Sequence, residues 1–219
     1  MVESVNVIGR GRVGSALAAR LLEGGVEFRD DEAELALLCV PDRAIAEVAA
    51  SIEPGPWVAH VSGATPLAAL VPHERRFSVH PLQTFTLDRG PEQLDGAWAA
   101  VTAETGEARG LGRELAETLG LRPFELEDGA RTLYHAGAAI ASNYIVTLYR
   151  AASQLLKDAG APSEALVPLM TRTIENGFQL TGPISRGDWA VVEAHLHALH
   201  DARPELEPMY RVLAEATAP

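Results

Sequence analysis

Short apolar runs alternate with amphipathic stretches over the first half of the chain, and strand signals then stop. Residues 5–8 (VNVI) read as a buried strand, residues 9–14 as a turn, and residues 15–22 as a helix halted by Gly24 and Gly25. A second apolar run, residues 35–40, closes at Pro41 and Asp42 and is followed by a helical pattern over 43–50. Further strands are predicted at 57–62, 77–80, 98–102 and 123–126, with a helix over 107–119. Such alternation of strand and helix predicts an α/β domain with a mainly parallel, Rossmann-like layered sheet. From Ala130 onward only helical periodicity remains: one long Ala-rich helix at 133–157, then 163–179, 188–200 and 204–216. A boundary is therefore expected near Asp128 and Gly129, dividing residues 1–128 from an all-helical 129–219.

The first turn carries a mechanism. Gly9-Arg10-Gly11-Arg12-Val13-Gly14 fits G-x-G-x-x-G between a strand and a helix, the context in which that pattern has meaning. Gly9 suits the tight turn, Gly11 lets a pyrophosphate approach the backbone, and Gly14 allows strand and helix to pack closely, with the helix N-terminus offering free N–H groups. An acidic residue about 20 positions on would meet the adenosine ribose. Asp30 and Asp31 stand there, but the preceding strand spans only 26–28 and the next begins at Leu35. Six residues, 29–34, are too few for the usual helical crossover between parallel strands. One βα unit is expected to be missing. Arg29 facing a 2′-phosphate with Asp30 on a ribose, and a plain solvated turn, both remain open.

Composition narrows the function classes. Eighteen Lys+Arg against 30 Asp+Glu give a net charge of −12, which argues against a nucleic-acid partner. Cys39 is the single cysteine, so no internal disulfide or CxxC metal site can form, and it reads as inert core. No apolar run is long enough to span a membrane, and the start MVESVNVIG lacks a basic leader, so the expectation is a soluble cytoplasmic protein. Lys157 is the only lysine and lies late in a helix, where a cation complements the helix dipole. His195, His197 and His200 read as an exposed helix face rather than a metal site.

Several segments in order, VIGRGRVGSALA, LLCVPDRAI, VAHVSGATPLAAL, SVHPLQTF, YHAGAAIASNYIVTL and LTGPISRGD, resemble uncharacterised bacterial Rossmann-like proteins with a C-terminal helical domain of unknown function. That group is similar to the 6-phosphogluconate dehydrogenase superfamily and, more distantly, to ketopantoate reductase and pyrroline-5-carboxylate reductase. The resemblance implies a Rossmann domain with a helical dimerisation domain, NADP or NAD as cofactor, a small acid-like substrate and a homodimer.

The residues themselves suggest where a site would lie. Val40 with Pro41, Ser62 with Gly63, and His80 with Pro81 end successive strands at the sheet's carboxyl edge, where doubly wound folds bind ligands. Val40, Pro41 and Ser62 are expected beside the cofactor. His80 can donate a proton or orient a carbonyl, or else be a half-buried structural imidazole; Gln83 and Thr84 can add neutral hydrogen bonds, and His60 reads as structural. His135, Ala139 and Asn143 share one face of the long helix, with Ser142 alongside. In ketopantoate reductase the resemblance places a lysine where His135 stands and an asparagine where Ala139 stands. His135 is the expected proton donor and Asn143 its companion, their face approaching the strand ends that bear Ser62 and His80. Arg186 can clamp a substrate carboxylate, and Asp188 is expected to cap the helix that follows. Two readings stand: a reductase of a small oxo or imino acid, or a non-catalytic ligand-binding or regulatory dimer on a degenerate Rossmann fold.

Overall fold

The computed structural model describes residues 2–218. Seven strands form one sheet in the order β2-β1-β3-β4-β5-β6-β7: β1 (Ser4–Ile8), β2 (Glu27–Phe28), β3 (Leu35–Leu38), β4 (Trp57–His60), β5 (Arg76–Leu82), β6 (Trp98–Ala103) and β7 (Arg122–Glu125). All neighbouring pairs are parallel except β5 and β6. Every residue of β3 and β4 is buried, as expected for strands covered on both faces. Alternate side chains serve different layers. Leu35, Leu37, Trp57 and Ala59 join Leu17 and Leu21 of α1 (Arg12–Glu23) and Leu115 and Ala116 of α3 (Gly106–Thr118). Ala36, Leu38 and Val58 meet Ile45 and Ala49 of α2 (Ile45–Ala50) on the other face.

The β2–β3 region bears out the shortened unit and shows how it closes. β2 is a two-residue stub whose Phe28 pairs with Val5, and β3 begins with Leu35 paired to the same Val5 on its other side. Residues 29–34 therefore only step across β1 and need not travel back along the sheet, so no crossover helix is required. The step is pinned where Asn6 Nδ2 donates to the Asp30 carbonyl at 2.8 Å and the Glu34 N–H donates to Ser4 Oγ at 3.1 Å.

The chain forms two compact units that divide after Ser142. The Ala-rich stretch is not one uninterrupted α-helix: α4 (Arg131–Ala139) passes into a π turn, Ile140–Tyr144, before α5 (Ile145–Asp158). The second unit adds α6 (Leu166–Glu175), α7 (Trp189–Ala202) and α8 (Glu207–Thr217), with Val192, Leu196 and Ala214 at its core. Asp188 occupies the N-cap position of α7, but its side chain makes no capping hydrogen bond, which corrects the expected role. His195 instead pairs with Tyr210 Oη at 2.7 Å, and His200 with Glu207 at 3.3 Å, between α7 and α8. Among the described residues no helix is long and apolar enough to cross a membrane.

Candidate active site at the carboxyl edge of the sheet

Strand register sets the frame of the site. Ile8, Leu38, His60 and Ser78 lie in one row across β1, β3, β4 and β5, so the segments that follow them emerge along a common edge. At the β1 end the glycines do three different things. Gly9 has φ of +99°, and a side chain there would strike the Cys39 carbonyl at 2.6 Å. A Cβ on Gly14 would lie 1.9 Å from the Gly9 carbonyl oxygen and 2.9 Å from Cys39 Cβ, so this glycine is what lets α1 sit on the turn. Gly11 is the exception: nothing stands within 4 Å of where its Cβ would be. It is the N-cap of α1, without a side-chain cap, and the first turn holds no acidic residue. Uncapped N–H groups, a positive helix end and an approach unobstructed by side chains together suit an anion.

Arg10 and Arg12 flank this turn as exposed side chains, with the Arg10 guanidinium 5.2 Å from the Phe28 ring centroid. Half-buried Val13 packs on the core, Val40 Cγ1 approaches Gly9, and Pro41 is exposed. Burial pushes the Cys39 thiol up to about 12, in keeping with an inert side chain. Arg29, a candidate for a 2′-phosphate, donates to Glu27 at 2.7 Å in an exposed pair.

The β4–β6 half of the edge is built from side chains. His80 Nδ1 is 2.7 Å from Tyr134 Oη, and the His80 and His135 rings stand edge to face with centroids 6.0 Å apart. Gly63 passes between the imidazoles. A Cβ on it would fall 2.5 Å from His135 Cδ2 and 2.9 Å from His80 Nε2, so only glycine permits this pairing without displacement. Behind them lies Arg131, 1% exposed, the first residue of α4. Its guanidinium donates to Thr102 Oγ1 at 2.8 Å, to Ser78 Oγ at 3.0 Å and to the Ser62 carbonyl, stitching β6, β5 and the segment after β4 to α4. Arg131 Nε has no hydrogen-bond partner among the described residues, and neither does Nε2 of the fully buried His60. Since His60 Nδ1 accepts the Ser62 N–H at 3.2 Å, the unpaired Nε2 is the nitrogen that carries the proton.

These surroundings keep both strand imidazoles uncharged. Burial, followed by His135 and then Arg131, lowers His80 to about 4; burial, Arg131 and His80 lower His60 to about 3. Burial raises the Tyr134 phenol to about 12 against the opposing effect of Arg131, so it remains a hydroxyl. His80 at neutral pH is thus a hydrogen-bonding group and not an imidazolium acid.

The structure brings His80 and His135 together, as the pattern of strand ends and helix face suggests. It also shows residues that the pattern leaves unassigned. Tyr134 bonds His80, Gly63 leaves room for both rings, and Arg131 ties together the segments that carry them. Tyr134 and Gly63 sit in the YHAG and VSGATP motifs, but nothing local marks their partners. Other candidates are committed elsewhere. Ser62 is buried, with its hydroxyl accepting the Thr65 N–H at 3.0 Å and donating to Thr65 Oγ1 at 2.8 Å, which makes it the organiser of its own turn. Exposed Gln83 accepts the Thr84 N–H at 2.8 Å, and Ser142 donates to the Ala138 carbonyl at 2.7 Å. Asn143 and Arg186 belong to the second unit, both exposed, with Arg186 donating to the Thr181 carbonyl at 2.8 Å.

The family model described as a domain of unknown function, DUF2520, matches residues 97–217, more than half of the chain. No curated protein matches in sequence. Among solved structures, a candidate NADP oxidoreductase from Bacteroides fragilis superposes with a TM-score of 0.81 at 24% identity, covering 98% of this chain and 97% of that one. A reductive aminase from Aspergillus terreus, solved with NADPH and ethyl levulinate, gives 0.68 at 13% identity over 99% and 93% of the two chains. A 1-pyrroline-5-carboxylate reductase from Streptococcus pyogenes gives 0.62 at 14% identity over 98% and 96%. At these identities the likeness shows a shared fold.

Proposed function

The chain belongs to the DUF2520 family, and from that premise we propose that it is an oxidoreductase using NADP or NAD on a small oxo or imino acid. One observation carries the reading. A sterically open, uncapped glycine turn at Gly11 and a pair of edge-to-face imidazoles stand on one sheet edge. A nicotinamide dinucleotide fits the cradle through its pyrophosphate. The backbone of Gly9, Arg10, Gly11, Arg12, Val13 and Gly14 would hold it, with Val40 and Pro41 bordering the same turn. When bound, the cofactor supplies or takes up hydride. His135 then holds the proton that the substrate gains or loses, and neutral His80 orients the substrate's polar atom through Nε2. Support also comes from fold neighbours whose own names state an NADP oxidoreductase, a reductive aminase with NADPH, and a reductase.

The second unit is taken as the surface of a homodimer, because it exposes Leu169, Phe178 and Val212 at 62%, 68% and 64%. A non-catalytic ligand-binding role is favoured by one feature alone. The Arg29 guanidinium is tied to Glu27, so the group that would meet a 2′-phosphate on the adenosine side is already paired. Thermal-shift titration with NADPH, NADH and their adenosine fragments separates the readings. Binding to the folded state must stabilise it, by about 2.7 kcal/mol at 100 times Kd. No stabilisation at millimolar dinucleotide removes the oxidoreductase reading.

A further inference from the structure

The electrostatics of the imidazole pair distinguish two kinds of substrate that the oxidoreductase reading leaves together. A carbonyl gathers negative charge on oxygen as it is reduced, whereas a protonated imine begins as a cation and loses its charge. The site must therefore favour one sign. Arg131 is a buried cation whose hydrogen bonds, among the described residues, all go to neutral oxygens: Thr102 Oγ1, Ser78 Oγ and the Ser62 carbonyl. Asp128 and Asp42 act on it from farther away, and the Asp128 carboxylate is engaged by the Leu67 N–H at 3.0 Å. Positive charge behind the site is thus only partly offset.

The second observation concerns the proton on His80. Tyr134 Oη and His80 Nδ1 share one hydrogen bond of 2.7 Å. A phenol is a far stronger acid than a neutral imidazole N–H, and imidazole is the better base, so the hydroxyl donates to Nδ1. That assigns the ring proton to Nε2, the atom that projects over Gly63 beside His135. The group presented there is an N–H donor. His60 Nε2–H, also without an acceptor, adds a second donor dipole to the same row of strand ends.

We propose that the site works at oxygen: it reduces a carbonyl to an alcohol, or runs the reverse, and does not act on a cationic imine. The proposal rests on the oxidoreductase reading above. A reduced nicotinamide, held through its pyrophosphate by the turn at Gly9, Gly11 and Gly14, would supply hydride to the carbonyl carbon while the π-electron pair of the C=O bond moves onto oxygen. That oxygen would be stabilised by His80 Nε2–H and the field of Arg131 and would take a proton from a His135 imidazolium. This leaves an alcohol, an oxidised nicotinamide and a neutral His135 that regains its proton from solvent. Tyr134 is a positioning residue, acting through the tautomer of His80. An imine carrying positive charge would face an N–H donor and a buried guanidinium, both of the wrong sign.

The test uses the full-length chain with NADPH or NADH and two probes of the same five-carbon skeleton, 2-oxopentanoate and 1-pyrroline-2-carboxylate. The oxo acid is expected to show the higher kcat/KM by about 10²-fold, the scale on which a single oxyanion donor acts. His80→Asp should lower carbonyl turnover by about 10²–10³-fold and narrow the preference, while His80→Gln, which keeps an N–H donor, should lose less. A binding arm works without turnover: the cofactor-saturated protein should be stabilised further by oxamate, a neutral-carbonyl analogue, and not by pyrrolidinium. Preference for the imine, stabilisation by pyrrolidinium, or neither oxamate stabilisation nor carbonyl turnover in a chain that binds the nicotinamide overturns the proposal alone. Absence of any cofactor stabilisation overturns the oxidoreductase reading beneath it.

Discussion

The two halves of the sheet's carboxyl edge are made by opposite means. At the β1 end the surface is backbone: three glycines, no capping side chain, and open space over Gly11. At the β4–β6 end it is side chain, with His80 and His135 packed on Gly63, Tyr134 bonded to His80, and Arg131 tying the strands to α4. The difference matters for how each half can fail. A backbone cradle depends on what is missing from it, so a single added atom destroys either its shape or its access. A side-chain cluster depends on long-range partners and fails through charge and hydrogen bonding.

The largest expected effect belongs to the backbone half. Gly14→Ala would place a methyl 1.9 Å from the Gly9 carbonyl oxygen, which no rotamer relieves. A loss of about 3 kcal/mol or more is expected in urea unfolding, at the upper end of overpacking costs. A loss under about 1 kcal/mol would show that the turn is looser than described. In the side-chain half, Gly63→Ala should cost about 1–3 kcal/mol, because the obstructing atoms are imidazoles and not backbone. Here a double-mutant cycle sharpens the contrast. His135→Ala removes the atom 2.5 Å from the new methyl and should recover part of the loss, with a coupling of about 0.5–3 kcal/mol. Strict additivity would mean that the two residues do not meet.

A smaller effect follows from the neutral histidines. Folded-state values of about 4 for His80 and about 3 for His60 lie below the ordinary imidazole value of 6.5. The unfolded chain therefore takes up protons first as pH falls. The stability contributed by these rings is complete above about pH 6.5 and is lost on acidification toward the folded-state values. The slope is at most about 1.4 kcal/mol per pH unit for each ring. Urea midpoints measured between about pH 7 and pH 5 should fall for the wild type and fall less for a His60→Gln, His80→Gln double variant. Equal slopes would contradict burial in the neutral form.

This contrast also explains what was legible in the sequence. The strand–turn–helix around Gly9, Gly11 and Gly14 is local, so its spacing announces it, and the short 29–34 segment likewise shows that a unit is missing. How the shortened connection closes was not legible, because it depends on β2 ending at the level of Val5. The positions of His80 and His135 could be inferred from strand ends and helix face. Arg131 could not: it reads as one more arginine at the head of a helix, and its burial is decided by partners 29, 53 and 69 residues away. Tyr134 is hidden for the same reason, since its partner lies 54 residues back. Helical periodicity extrapolated smoothly through 140–144, where the backbone instead makes a π turn.

The central claim is that Gly11 marks an anion cradle, and Gly11→Asp tests it most directly. Nothing within 4 Å obstructs a side chain there, so the variant should unfold within about 0.5 kcal/mol of wild type, as an unobstructed surface change does. Yet its carboxylate would occupy the approach to the uncapped N–H groups of α1 and repel a pyrophosphate. Wild type should therefore gain thermal stability with rising NADPH or NADH, and Gly11→Asp should gain none at the same concentrations. Equal stabilisation of both proteins would place the nucleotide elsewhere and contradict the account.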